Sequence, residues 1–302
     1  MTDVIEAPRL IETPFHPEAQ VRASRDLLEA TVADLWPTAA DLRLAREVLG
    51  RYPEHRRQVE EAAAQLDADP EQLALANLSY DLNVKGHGCS TAALAGPDGP
   101  VVARNLDWPN ADLLARAGCV LPTAQGMQAG FVGGVGVVTG LSHRGFALAL
   151  NAVWCGRSDF NGYPVLLLLR HLLDHARDFR DAVQTAATTP LMSGCLITLA
   201  GTRNDERAVV ERTPSSASVR TPCGDEPLVT TNHYRALARP EVCGRHALLT
   251  ADSLALPPQP GDGQLLCCLT REPVFNGGTA HHVLMRPAAG AMRLFVPRRL
   301  LG

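Results

Sequence analysis

The sequence predicts an α+β fold with the helices first and a hairpin-rich sheet after them. Three observations carry this. Up to about Tyr80, apolar residues recur at helical spacing among Glu, Arg and Gln. The texture then changes at residues 85–90, Lys-Gly-His-Gly-Cys-Ser, a small turn-forming cluster. Beyond it short β-like runs alternate with turns, interrupted by one long amphipathic helical stretch, and no repeating βαβ order, internal repeat or low-complexity tract is present.

In chain order, helices are expected over Pro17 to Leu35, Ala39 to Tyr52 and Glu54 to Leu66, punctuated by Pro37, Pro53 and Pro70. Strands follow at Ser90 to Ala95 and Val101 to Asn105, with the hairpin turn Gly-Pro-Asp-Gly at 96–99 between them. Next come an apolar, glycine-bearing run from Phe131 to Leu141, a strand over Phe146 to Ala152, and a helical stretch from Pro164 to about Ala187 that Pro190 stops. Further strands are expected at Cys195 to Ala200, Arg207 to Arg212, Ala217 to Thr221, Leu228 to Thr231, His282 to Met285 and Met292 to Val296, with a helical piece at Gly263 to Leu269.

Composition bounds the function. A chain of 302 residues, 46% hydrophobic and 20% charged, can bury a sizeable core and is not disordered. The net charge of -4 and scattered arginines argue against nucleic acid and point to a small molecule as partner. The N-terminal stretch lacks the charged and apolar regions of a secretory signal, and the longest aliphatic run is Val165 to Leu169, so a cytoplasmic location with no membrane anchor is expected. Eight cysteines with no Cys-x-x-Cys pair suit free thiols in a reducing compartment.

Cys89 opens a strand after Gly88, and fifteen residues later the returning strand delivers Arg104-Asn105-Leu106-Asp107-Trp108. A thiol is a useful nucleophile as thiolate, and needs a base, a positive partner and a donor pocket nearby; Arg104 and Asp107 can supply two of these. Gly-Cys-Ser-Thr followed by Val-Val-Ala-Arg-Asn-Leu-Asp-Trp resembles the start of the mature chain in the cysteine N-terminal-nucleophile hydrolases, in the branch of isopenicillin N acyltransferases, N-acylethanolamine acid amidase and acid ceramidase. Choloylglycine hydrolases are more distant relatives. The resemblance continues through Gly136 to Gly140, Leu150-Asn151-Ala152, Pro164 to Arg170 and Thr230-Thr231-Asn232-His233, covering roughly residues 85 to 300. The interval from Cys89 to Arg104 is one residue shorter than the amidase branch leads one to expect, a difference assigned to the Gly-Pro-Asp-Gly turn.

That resemblance implies a four-layer αββα sandwich, made as a precursor that cuts itself between Gly88 and Cys89. Residues 1–88 would become a helical small chain that stays bound as a partner, and 89–302 the catalytic domain. Cys89 would be nucleophile and, through its freed α-amine, base; Asp107 would orient the amine and Arg104 would bind the reacting carbonyl or stabilise charge near the thiolate. By the same analogy Asn232 is the first choice for oxyanion donor, Asn151 a second donor, and Arg245 sits where ceramidase-like members place an arginine against the nucleophile. The implied reaction is attack on a linear amide or thioester of an acyl compound, resolved by water or by an amine; a fold kept as a non-catalytic binding protein is the alternative class. No metal or other cofactor is called for.

Other words in the sequence have plainer readings. Trp108 either packs or lines an acyl pocket. His171-Leu-Leu-Asp174-His175 has the spacing of a helical metal site but lacks the usual Glu and shows no third ligand, so solvated or capping histidines are expected. Cys223, His233, Cys243 and His246 fit no zinc ribbon or finger. Glycines 134, 136 and 140 lack the following helix of a dinucleotide loop and read as tight sheet packing. Cys267 and Cys268 read as core.

Overall fold

A computed structural model describes residues 17–84, 88–238 and 241–300. The chain runs through four long or medium helices, α1 (Pro17–Leu35), α2 (Ala39–Gly50), α3 (Pro53–Leu66) and α4 (Pro70–Asn77), and one turn of helix, α5 (Ser79–Leu82). Their starts follow local chemistry. Thr38 and Asp41 form a reciprocal capping box on α2, Pro53 sits in the first turn of α3, and Asp69 accepts from the Glu71 amide at the start of α4.

The remaining elements build two antiparallel sheets. Strands β1 (Gly88–Leu94) and β2 (Val101–Asp107) form a hairpin; helix α6 (Ala111–Ala117), the hairpin β3 (Cys119–Thr123) and β4 (Gly126–Gly130), β5 (Thr139–Ser142) and β6 (Phe146–Ala152) follow. Helices α7 (Val165–His175) and α8 (Phe179–Thr188) precede β7 (Cys195–Ala200), β8 (Arg207–Arg212), β9 (Ala217–Arg220) and β10 (Leu228–Thr230). Helices α9 (Gly244–Leu254) and α10 (Asp262–Leu269) lead to β11 (Thr279–Arg286) and β12 (Ala291–Phe295). The five-stranded sheet has the order β10-β1-β2-β11-β12 and the seven-stranded sheet runs in sequence from β3 to β9.

Alternation along the strands sorts the apolar residues into layers. Ala93, Val102, Val283 and Met285 of the first sheet meet Leu141, Ala147, Ala149 and Leu196 of the second. The opposite face of the first sheet, with Ala92, Ala103 and Leu284, packs on Leu249 of α9 and Leu265 and Leu269 of α10. The outer face of the second, with Leu148, Leu150 and Ile197, packs on α7 and α8 through Leu168, Leu172 and Ala182. The result is the αββα sandwich, and the α+β class expected from the sequence.

Three local expectations differ from the structure. The helical stretch after Pro164 is two helices, because Asp178 breaks it in extended conformation and caps α8 through the Asp181 amide. The run from Phe131 to Leu141 joins the sheet only from Thr139. Before that its backbone is held by a side chain: Asn77 Oδ1 accepts from Val135 and Gly136 N–H at 2.9 and 3.0 Å. A Cβ on Gly136 would lie 2.6 Å from Leu166 Cβ, so this glycine admits helix α7 and not another strand. Cys268 is buried as expected, but Cys267 is exposed.

The helical layer is bound to the sandwich by polar as well as apolar contacts. Leu66, Leu73, Leu75 and Leu78 are buried against Val132, Val135, Leu167 and Met192. Each such side chain contributes about 1.5–3 kcal/mol on burial. Tyr80 donates to the Gly194 carbonyl at 2.8 Å, and Asp81 accepts from Val165 N–H at 3.0 Å. No helix among the described residues is long and apolar enough to cross a membrane.

Candidate active site

The hairpin register sets the geometry. Gly88 pairs with Asp107, Cys89 with Leu106 and Thr91 with Arg104, while β11 brings Thr279 beside Asp107. Cys89 and Arg104 point into the space between the sheets, where Cys89 is 2% exposed and Arg104 fully buried.

Arg104 crosses that space. One guanidinium nitrogen donates to Cys89 Sγ at 2.9 Å, and the other donates to the Val138 carbonyl and Thr139 Oγ1, both at 2.7 Å. Burial pushes the Cys89 thiol above the ordinary thiol range, and the Arg104 charge opposes that shift. Burial equally disfavours the Arg104 charge, which an anionic sulfur would favour. Thiolate and guanidinium therefore stabilise one another in a site that disfavours either charge alone.

The second half of the site is a network around Asn232 and Asp107. Cys89 N–H donates to Asn232 Oδ1 at 3.0 Å, and Asn232 Nδ2 donates to the Ala152 carbonyl at 2.7 Å. Arg245, in the first turn of α9, donates to Asn232 Oδ1 at 2.8 Å and to the Cys89 carbonyl at 3.2 Å, and lies 3.4 Å from Asp107 Oδ2. Asp107 also accepts from Asn276 Nδ2 and from Thr279 Oγ1, each at 2.7 Å. Its carboxylate lies against Gly88: a Cβ there would be 3.3 Å from Asp107 Oδ2 and 3.7 Å from Arg245 Nη1.

Thus five of the residues singled out in the sequence, Cys89, Arg104, Asp107, Asn232 and Arg245, form one connected cluster about the Gly88–Cys89 bond. Asn232 turns its amide oxygen, not its nitrogen, toward the Cys89 backbone. Asn151 stands one residue away: its Oδ1 accepts from Thr91 Oγ1 at 2.8 Å and its Nδ2 donates to the Thr230 carbonyl at 3.2 Å, lacing β6 to β1 and β10. Trp108 packs on two clusters of the core and borders a cleft of about 740 Å³ together with Gly88, Asp107, Arg245 and Asn276. Asn276 and Thr279 were missed. Their only signal is the turn-forming Asn-Gly-Gly before a strand, which does not say that the strand lies beside β2.

Among the described residues, Cys223, His233, Cys243 and His246 do not converge as a ligand set. His233 and His246 are ring neighbours, 5.4 Å apart between centroids, and Cys223 is exposed.

Comparison with known proteins bears on the fold and the family. The fold is similar to that of a Caenorhabditis elegans N-acylethanolamine-hydrolyzing acid amidase (NAAA) ortholog, with a TM-score of 0.58 and 22% identity, over 66% of this chain and 93% of that one. No curated protein matches the chain significantly by sequence. The family described as acyl-coenzyme A:6-aminopenicillanic acid acyl-transferase matches residues 94–254, just over half of the chain. With the two-sheet sandwich and a buried cysteine at the head of its first strand, the chain belongs to this acyl-transferase family and is an enzyme of the N-terminal-nucleophile hydrolase or acyltransferase class.

Proposed function

We propose that the protein is a precursor that cleaves itself before Cys89 and then hydrolyses the linear amide bond of an N-acyl small molecule through an acyl-cysteine. The observation that carries this reading is the position of Cys89. Its sulfur faces a buried guanidinium at 2.9 Å, and its backbone nitrogen faces Asn232 Oδ1 at 3.0 Å.

In the first step the Cys89 sulfur attacks the Gly88 carbonyl carbon, the peptide C–N bond breaks and the Cys89 nitrogen takes a proton. This leaves a thioester that water cleaves. Asn232 and Arg245 hold the Cys89 backbone through this change, and Asp107, itself held by three donors, fixes Gly88 opposite. A freed α-amine has a reference pKa of about 8, and the two neighbouring arginines disfavour its charge, so that its neutral form can take the thiol proton in later turnovers. The thiolate then attacks the substrate carbonyl, the amine leaves with a proton, and water releases the acid.

Asn232 is the proposed oxyanion donor once its nitrogen turns from Ala152; Asn151 can serve only by leaving Thr230. Resolution by an amine instead of water would make the enzyme an acyltransferase. The test is to incubate cleaved protein with N-acyl amides of graded chain length, with and without added amines. Release of amine, with an acyl adduct on the Cys89 peptide, supports the hydrolase; new amides formed at the expense of acid support transfer. No adduct with any acyl donor, from a chain that remains intact, makes it a binding protein of the same fold.

A further inference from the structure

The histidine pair that the sequence leaves without a third ligand acquires one in the fold. His171 and His175 lie one turn apart on the same face of α7, and Glu54, in the first turn of α3, reaches them from the helical layer. One nitrogen of each ring and one Glu54 carboxylate oxygen all lie within 4.8 Å of one another. His175 Nε2 is 2.9 and 3.1 Å from the two Glu54 oxygens, and the His171 and His175 rings are 4.6 Å apart between centroids.

We propose that Glu54, His171 and His175 bind a divalent transition-metal ion, with Zn²⁺ the best fit, which staples α3 to α7. Donor atoms about 2.0–2.1 Å from a tetrahedral Zn²⁺ stand about 3.3–3.4 Å from one another, so small side-chain rotations close the site, and water completes it. A Glu54–His175 ion pair alone accounts for only two of the three groups. Among the described residues His171 makes ring contacts, with Tyr163 at 6.0 Å and with His175, but its nitrogens make no hydrogen bond. The side chains of His175 and Glu54 are 46% and 41% exposed, so the site is open to ions.

Glu54 precedes the Gly88–Cys89 bond in the chain and both histidines follow it. The ion would therefore tie the helical layer to the catalytic one whether or not that bond is cut, and its binding does not depend on the catalytic reading.

The test strips the full-length protein with a chelator and titrates Zn²⁺ against a chromogenic competitor, for wild type, Glu54→Gln and the double variant His171→Ala/His175→Ala. Loss of an outer-shell partner already costs about 10- to 100-fold in affinity, so loss of a direct ligand should cost at least that. Wild type should bind one more equivalent than the double variant, and Zn²⁺ at about 100 times its Kd should raise the wild-type Tm by roughly 4 to 8 °C while leaving the variant unmoved. Metal-free Tm values that agree show that the variant is folded. Equal Zn²⁺ uptake by both proteins overturns the proposal, as does uptake lost on alkylating the cysteines but kept without the histidines.

Discussion

Replacing Arg104 by methionine separates what this residue does for chemistry from what it does for stability. The substitution removes one donor from Cys89 Sγ and two from the Val138 carbonyl and Thr139 Oγ1. Val138 keeps its bond from Leu150 N–H at 2.9 Å, and the Thr139 hydroxyl can rotate to another partner. The lost hydrogen bonds are thus worth about 1–3 kcal/mol, and they are offset because a guanidinium with an unpartnered Nε no longer has to be buried. The Tm should stay within about 5 °C of wild type, a shift of one or two kcal/mol. Chemistry should fare differently. A positive charge within hydrogen-bond distance lowers a thiol pKa by about 1–3 pH units, and a preorganised donor at a developing anion is worth about 10²–10³ in rate. Self-cleavage of freshly made chain, followed on denaturing gels over a pH series, should slow by that factor and move its midpoint to higher pH. Cleavage at the wild-type rate, or a Tm that falls by more than about 10 °C, would refute the reasoning.

Two further outcomes follow from buried polar groups outside the cluster. Burial holds the Asp81 carboxyl up at about 7, against about 3.9 unfolded, so the folded chain carries the extra proton between those values. That term stabilises fully below about pH 4 and is lost as pH rises to about 7. Asp81→Asn keeps the acceptor for Val165 N–H, so its denaturant-measured stability relative to wild type should rise by up to about 4 kcal/mol between pH 4 and pH 8; a flat difference would count against it. Asn77→Ala leaves the Gly136 N–H without its acceptor and Val135 N–H with only its bond to the Gly133 carbonyl, and should destabilise by about 1–3 kcal/mol in urea titration, with a loss under about 0.5 kcal/mol contradicting the role assigned to this side chain.

The readable parts of the sequence were those in which a local pattern decides the structure. The α1 range, both strands of the first hairpin and β6 through β8 follow from period, proline and turn chemistry. The hairpin alone puts Cys89, Arg104 and Asp107 within reach of one another, because strand pairing with a short turn determines the register. What stayed hidden depends on tertiary pairing. Helix α9, which delivers Arg245, has a mixed sequence without a side-chain cap. Thr279 meets Asp107 only because β11 inserts beside β2 across more than 170 residues of chain, and Glu54 meets the two histidines only because α3 docks on α7. The Phe131 to Leu141 run misled through the same cause: its Val135 and Gly136 amides bond to the side chain of Asn77, more than fifty residues earlier, and its Val137 amide to the Leu166 carbonyl of α7.

The central claim, that Cys89 releases its own N-terminus, is tested most directly by intact mass spectrometry of freshly purified wild type beside Cys89→Ala. Scaling 32.3 kDa by 88/302 and 214/302 puts the two chains at about 9 and about 23 kDa. The account predicts both fragments in the wild type, the larger beginning at Cys89, and a single uncut chain in the variant. A wild type that stays whole under every pH tried, or a variant that is cut at the same place, would contradict it.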